Sequence, residues 1–404
     1  MSVGMEAVKG DVQAGRRSGW FVLLSLMLAM YLANVSAIAM TPFLLDIARE
    51  LGADLAAMGV LLAVGSITWA VVSAFAGLAS DRYGRRPILL VGLLGLALGP
   101  LGLASTALYP VALVARLAGG FGGGSFMGTA FATASDAVPE SERGRALGWL
   151  VTGQSLALVI GIPIVTYMAA FIGWRAALAM QGVALVAAAV LVWLAVPGQP
   201  RREHAEATPA PSILRLMTPK VVALLAANSM ERVCYGGVAV YLATYLIQSY
   251  DTSLEQLALG LGAVALGNLL GNVAGGELSD RLRSRTILAA SSLAATGLLA
   301  LPLLLWQPGL LASIALGFVY TAVNAVGRPA LLASTSEVSN EARGALLGAN
   351  MTFASFGWLG AQAFGGWLIG TLGFPIFGIL TAVAGLAGAV LAVIGIHGRV
   401  RPAP

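Results

Sequence analysis

The chain has 404 residues, 58% hydrophobic and only 10% charged, with a formal net charge of +5. Soluble domains carry about 25% charged residues, so a mean hydropathy of +0.87 excludes a water-soluble domain of ordinary kind. The single cysteine, Cys234, excludes an internal disulfide and a multi-cysteine metal site, and the only histidines, His204 and His397, offer no buried triad or metal centre.

A helix needs about 20 apolar residues to cross a hydrocarbon core of roughly 30 Å. In chain order such stretches are predicted near 20–44, 56–78, 88–108, 110–134, 146–171, 174–196, 219–248, 255–278, 286–305, 308–333, 344–370 and 374–396. Backbone polar groups in lipid must bond internally, which leaves only helices or closed barrels. These runs are too long and too evenly apolar for the alternating strands of a barrel. The expected fold is therefore all-α and integral to the membrane, with twelve transmembrane helices. The 51 glycines fall inside the runs, where they let helix backbones approach closely. Arg16 and Arg17 precede the first run as they would in a signal peptide, but the run is longer than an h-region and eleven more follow, so it reads as the first span.

With the N-terminus inside, the cytoplasmic segments hold Lys9, Arg16, Arg17, Arg82, Arg85, Arg86, Arg143, Arg145, Arg201, Arg202, Arg215, Lys220, Arg281, Arg283, Arg285, Arg343, Arg399 and Arg401. These are 18 of the 23 basic residues; the outside loops hold Arg49 and Arg175, and Arg116, Arg232 and Arg328 lie within spans. This bias predicts cytoplasmic termini in a plasma (inner) membrane protein and assigns the positive charge to the lipid surface rather than to nucleic acid.

The stretch GLASDRYGRRPILL, residues 77–90, lies between spans two and three and concentrates Asp81, Arg82, Arg85 and Arg86. About 200 residues later GELSDRLRSRTILA occupies the equivalent loop, with Gly276, Asp280, Arg281 and Arg285 matching Gly77, Asp81, Arg82 and Arg86. SERGRALG at 141–148 likewise matches EARGALLG at 341–348. The chain is read as two six-helix halves in parallel repeat, 1–197 and 218–404, joined by the polar linker 198–217.

The Gly77-x-x-x-Asp81-Arg82-x-Gly84-Arg85-Arg86 pattern, its degenerate second copy and the twelve spans resemble the major facilitator superfamily over essentially the whole chain. The resemblance implies two pseudo-symmetric halves that rock around a central small-molecule site. The loop charges are then a conformational latch: Asp81 and Asp280 suit helix N-termini, which favour negative charge, and Arg82, Arg85 and Arg86 can pair with Asp136 and Glu140. Such half-wet pairs are individually weak, which suits a gate that opens.

In span four, GGFGGGSF at 119–126 follows no strand and lacks the Lys-Ser/Thr ending of a phosphate loop. Gly120, Gly124 and Gly128 are expected to form a close-packing face, as are Gly267, Gly271 and Gly275 in span eight. The resemblance places Arg116 where many family members carry an arginine associated with proton transfer. Gly161 and Pro163 make span five similar to the Gly/Pro-rich fifth helix of the drug/proton antiporter branch, although Gly161-Ile162-Pro163 stands where that branch has an adjacent Gly-Pro pair. A plain proline kink is the alternative reading.

Span seven places Asn228, Glu231, Tyr235 and Tyr245 on one helical face, and Glu231 is the only acidic residue deep in a span. A charge at a helix centre costs about 2.5–3.5 kcal/mol, so Glu231 needs a partner. Arg232, adjacent on the helix and about 100° away, is expected to be a poorer one than an arginine of another span. Candidate lining residues are Tyr31, Asn34, Arg116, Gln154, Asn228, Glu231, Tyr235, Asn324 and Asn350.

The expected function is secondary active transport, not enzymatic catalysis. The best match is proton-coupled efflux of a drug-like compound, sugar or small metabolite by a monomer that uses the proton gradient and needs no cofactor or metal. An uptake symporter or uniporter, or a transport-inactive sensor or assembly protein, are the alternatives. Reporter fusions after Arg86, Arg202, Arg285 and at the C-terminus should read cytoplasmic, and those near Asp54 and Asp251 external. An external signal at the central linker contradicts the twelve-span topology.

Overall fold

The structure is a computed structural model that describes residues 2–198, 217–282, 284–336, 338 and 343–397. All but the end residues of the expected linker 198–217 lie outside the described residues, as do Arg201, Arg202, His204, Arg215, Arg283, Arg399, Arg401 and the first two residues of the second loop repeat, 341–342. Every regular element among the described residues is helical. The long ones are α1 (Ser2–Ile38), α2 (Leu44–Leu51), α3 (Leu55–Tyr83), α4 (Arg85–Ser105), α5 (Tyr109–Asp136), α6 (Arg143–Leu156), α7 (Ile162–Ile172) and α8 (Trp174–Ala195). They continue with α9 (Pro219–Tyr250), α10 (Leu254–Arg281), α11 (Arg285–Leu304), α12 (Leu310–Ser336) and α13 (Arg343–His397).

Nine stretches among the described residues are long and apolar enough to cross a membrane. The last, Gly348–Gly395, holds two crossings, because Gly373 interrupts α13 with φ of 80°. α5 and α9 bring the number to twelve; glycines with Arg116 in one, and Asn228, Glu231 and Arg232 in the other, lower their hydropathy. The chain thus has twelve transmembrane helices in two six-helix halves. The repeat shows in the backbone: Gly173 and Gly373, 200 positions apart, both turn the chain between the last two spans of a half with positive φ, 79° and 80°. Only glycine takes that region without a Cβ clash. Gly84, at φ of 94°, is the single residue between α3 and α4 and serves the same purpose.

Many large apolar side chains stay exposed, among them Leu311 at 82%, Leu259 at 77% and Leu78 at 71%. Such a surface is a liability in water and is satisfied in a bilayer. Lipid tails remove the hydrophobic drive between helices, so packing and close backbone approach hold the bundle.

By contacts the chain divides into two compact units, Met1–Met40 with Ile67–Ala205, and Thr41–Ser66 with Glu206–Pro404. The first has a core of Leu26 and Met30 from α1, Leu89 and Leu93 from α4, Phe126 from α5, Leu150 from α6 and Leu185 from α8. Here α4 and α5 touch backbone to backbone: a Cβ on Gly122 would lie 2.1 Å from the Leu96 amide nitrogen. Gly123 and Gly124 press instead on Trp69 of α3. The expected Gly120, Gly124, Gly128 face is therefore corrected. Gly128 has open space beside it, and Gly119 and Gly122, three apart, make the approach to α4.

In the second unit the Gly267, Gly271, Gly275 face forms as expected. Cβ atoms there would fall 2.4, 2.1 and 2.4 Å from the carbonyl oxygens of Phe318, Ala322 and Val326 on α12. The partners also recur every four residues, so two matched ridges run together. The first part of α3 belongs to this unit too. Gly59 approaches the Gln362 carbonyl of α13, to which the Tyr241 hydroxyl donates, and Ser66 Oγ donates to Gln362 Oε1 at 2.7 Å. Helix starts are capped locally: Thr218 accepts from the Val221 amide, and Ser253 with Gln256 forms a capping box.

Candidate functional site

Glu231, at 1% exposure, sits on α9 opposite Arg328 of α12. Its Oε1 accepts from Arg328 Nη2 at 2.9 Å and Nε at 3.2 Å. The same guanidinium donates to Asn324 Oδ1 at 3.3 Å and Asn272 Oδ1 at 3.4 Å. Asn272 in turn donates to Asn268 Oδ1 at 3.1 Å. The spacing explains the convergence: 231 and 235, 268 and 272, and 324 and 328 are each four apart and so share a face of α9, α10 and α12. The Arg328 guanidinium lies 4.9 Å from the Tyr235 ring centroid, a cation–π contact. Tyr235 in turn stands 5.8 Å from Trp358 of α13. Four helices of the second unit thus meet around one carboxylate.

Arg232 is the poorer partner, as its place on the helix led one to expect. Its Nε comes within 3.1 Å of Glu231 Oε2, yet neither atom has a hydrogen-bond partner. The neighbouring arginine is therefore a second ion-pair partner by distance, but the 100° offset denies it an aligned bond, and the contact is Coulombic only. Two guanidiniums consequently face a single carboxylate. The amide nitrogens Asn268 Nδ2 and Asn324 Nδ2 are also buried without partners.

The other expected residues are dispersed. Asn228 donates to the Asn350 carbonyl at 3.2 Å and Ser229 to the Phe353 carbonyl at 2.7 Å, joining α9 to α13. Tyr245 lies apart from Glu231, in a group with Tyr250 at 3.3 Å, itself 2.8 Å from Ser313. In the first unit Arg116 is buried at 9% exposure. Asn34 donates to the Met30 carbonyl of its own helix, and Gln154 to Met127 Sδ. The Tyr31 hydroxyl is packed where a Gly161 Cβ would lie 3.1 Å from it. Residues 157–161 form a π-turn within a continuous helix, and Pro163, which has no N–H to give to the preceding turn, follows it directly. The irregularity in span five is thus a π-turn, pressed against Tyr31 and Val35 of α1 at Gly161.

At the opening loop Arg85 gathers the acids: Nη1 lies 2.8 Å from Asp81 and Nε 3.3 Å from Asp136. Arg82 and Arg86 do not pair there as expected. Arg82 stacks on Tyr83 at 5.5 Å and Arg86 on Trp193 at 5.0 Å. Glu140 pairs with Arg143 at 3.7 Å. In the second copy Arg281 pairs with Glu277 at 3.5 Å, and Ser284 caps the helix that Arg285 begins. Gly77 has open space beside it. The partners Asn268, Asn272 and Trp358 were not anticipated; paired amides four apart in an apolar run were the available signal for the first two.

A helical membrane bundle with an ion-paired carboxylate inside it, and no strand among the described residues, has the architecture of a multi-pass carrier. The model of the major facilitator superfamily matches residues 21–328 and 224–404, and the chain belongs to that family. It is 27% identical over 308 residues to a chloramphenicol resistance protein of Streptomyces lividans, covering 74% of this chain and 78% of the relative. It is 26% identical over 364 residues to the inner membrane transport protein YdhP of Escherichia coli O157:H7, covering 88% and 90%. Among solved structures, that of a D-xylose–proton symporter superposes with a TM-score of 0.76 at 18% identity, covering 92% of this chain and 97% of the other. A bacterial homologue of the human lysosomal transporter Spinster gives 0.73 at 17%, covering 94% and 95%. The chain is thus a secondary transporter of a small molecule, embedded in a membrane, and not an enzyme.

Removing one member of a buried pair leaves the other uncompensated, at a cost of about 3–5 kcal/mol. Glu231→Gln, which leaves two guanidiniums uncompensated, should therefore lower the thermal midpoint in detergent by several degrees, and adding Arg328→Gln should restore part of the loss. A loss in the double variant equal to the sum of the two single losses contradicts a coupled pair.

Proposed function

We propose that this transporter is a proton-coupled exporter in which Glu231 is the proton-exchanging group and Arg328 its counter-ion. The observation that carries the reading is the near-complete burial of Glu231 against an arginine of a different helix. While the pair is closed the carboxylate is neutralised. When helix motion draws Arg328 away, the carboxylate keeps only the unaligned contact to Arg232, its charge in low dielectric is costly, and a proton takes the place of the lost donors. The cluster then has two arrangements, an ion-paired one that leaves donors for substrate and a protonated one in which Arg328 is released to take other acceptors. Substrate and proton compete through that choice, which is the logic of exchange.

The similarity to a chloramphenicol resistance protein supports the export direction and an amphipathic organic substrate, and the name of YdhP supports an inner-membrane location. Cytoplasmic termini follow from the basic-residue bias. The Arg85, Asp81 and Asp136 group acts as the conformational latch, with its charges held by one guanidinium. Arg116, Tyr31, Asn34 and Gln154 contribute to the pathway from the first unit, and a monomer suffices.

In proteoliposomes with an imposed proton gradient, chloramphenicol as the first compound of a panel should be accumulated or extruded by the wild type. Glu231→Gln keeps the shape and mimics the protonated form. It should abolish gradient-driven movement while leaving counterflow measurable and independent of pH between about 6 and 8. A folded Glu231→Gln protein with full gradient-driven transport moves the coupling site elsewhere.

A further inference from the structure

The arrangement around Glu231 holds more than a proton site requires. Two guanidiniums, Arg232 and Arg328, lie at 3.1 and 2.9 Å from one carboxylate, so the cluster keeps one positive charge in excess. Three of its donors, Arg232 Nε, Asn268 Nδ2 and Asn324 Nδ2, are buried without a partner. Unsatisfied buried donors are costly and mark a place where an acceptor is missing. Arg328 already spends its donors on Glu231, Asn324 and Asn272. Arg232 makes no aligned hydrogen bond to Glu231, and its side chain is 25% exposed. The Tyr235 ring lies against the Arg328 guanidinium, with Trp358 5.8 Å beyond it, and the two add an aromatic wall.

We infer that Arg232 is a specificity-determining residue and that the site takes an uncharged or acidic aromatic compound whose oxygen atoms accept from these donors, while organic cations are excluded. The inference rests on the exporter reading for the location of the substrate, and it adds its chemical class. Recognition works from both sides. An acceptor-rich ligand satisfies three orphan donors, and a cationic ligand meets an uncompensated positive charge in low dielectric, which rejects it more strongly than lost contacts would. Exclusion depends on the excess charge that Arg232 supplies, whereas proton coupling depends on Glu231 and Arg328, so the two claims fail independently.

Ethidium and fluorescein, tricyclic dyes with a pendant phenyl ring and opposite charge, test this by fluorescence anisotropy on the purified full chain at fixed ionic strength. The wild type should bind fluorescein at least about tenfold more tightly than ethidium, a difference of roughly 1.4 kcal/mol. Arg232→Gln should narrow the ratio to near one at unchanged thermal stability, and Arg232→Lys should restore it. Glu231→Gln, which raises the excess charge, should widen the ratio even though it uncouples transport. Saturable ethidium binding as tight as that of fluorescein, no saturable fluorescein binding, or an unchanged ratio in Arg232→Gln overturns the inference. A Glu231→Gln protein that still transports under a gradient but keeps the wider dye ratio overturns the proton assignment and leaves the selectivity claim standing.

Discussion

A carboxylate at 1% exposure inside a bundle of apolar helices must be neutralised within a few ångströms or lose its charge, and Glu231 meets that demand through Arg328. The pair is not a local helix contact, since α9 and α12 have to be held at one distance and rotation for Oε1 to receive two donors from one guanidinium. Replacing such a pair by apolar residues is often neutral or stabilising, so stability alone gives little reason to place it in a membrane. A group that must exchange a proton gives a better one. The surrounding amides, Asn272 and Asn324, hold the guanidinium in place without adding charge.

The glycine faces make this geometry attainable. Where Gly267, Gly271 and Gly275 let α10 lie against the carbonyl ridge of α12, Asn272 is brought beside Arg328. A larger residue at any of the three would push α10 away from α12. On the other side Gly357 of α13 sits against the Ser229 carbonyl and Arg232 Cβ, which brings Trp358 to Tyr235. Close packing in lipid is thus the means by which sparse polar groups meet.

Much of the architecture was legible because bilayer thickness imposes a length on each span and the repeat duplicates its punctuation. The paired loops announced two halves. The site was only partly legible. Glu231 stood out as the one deep acid, and the offset between adjacent helical residues pointed to an arginine on another span. That the partner is Arg328 rather than Arg116, and that Asn268 and Asn272 join it, depends on which helix faces meet. Interhelical pairing of that kind has no signature in a single sequence. Arg232 shows the limit of the angular rule, because a long flexible side chain reaches within 3.1 Å despite its unfavourable start. The Gly120, Gly124, Gly128 reading failed for a related reason. Span four touches two neighbours at once and divides its glycines between them.

The central claim, that Glu231 exchanges a proton under the control of Arg328, is tested most directly by infrared difference spectroscopy of the protonated carboxyl band as the reconstituted protein is titrated. A carboxylic-acid band should grow as the pH falls, be absent in Glu231→Gln, and change its pH dependence in Arg328→Gln. A Glu231 that stays ionised throughout the range in which the protein remains folded, or a band that Arg328→Gln leaves unmoved, would contradict it.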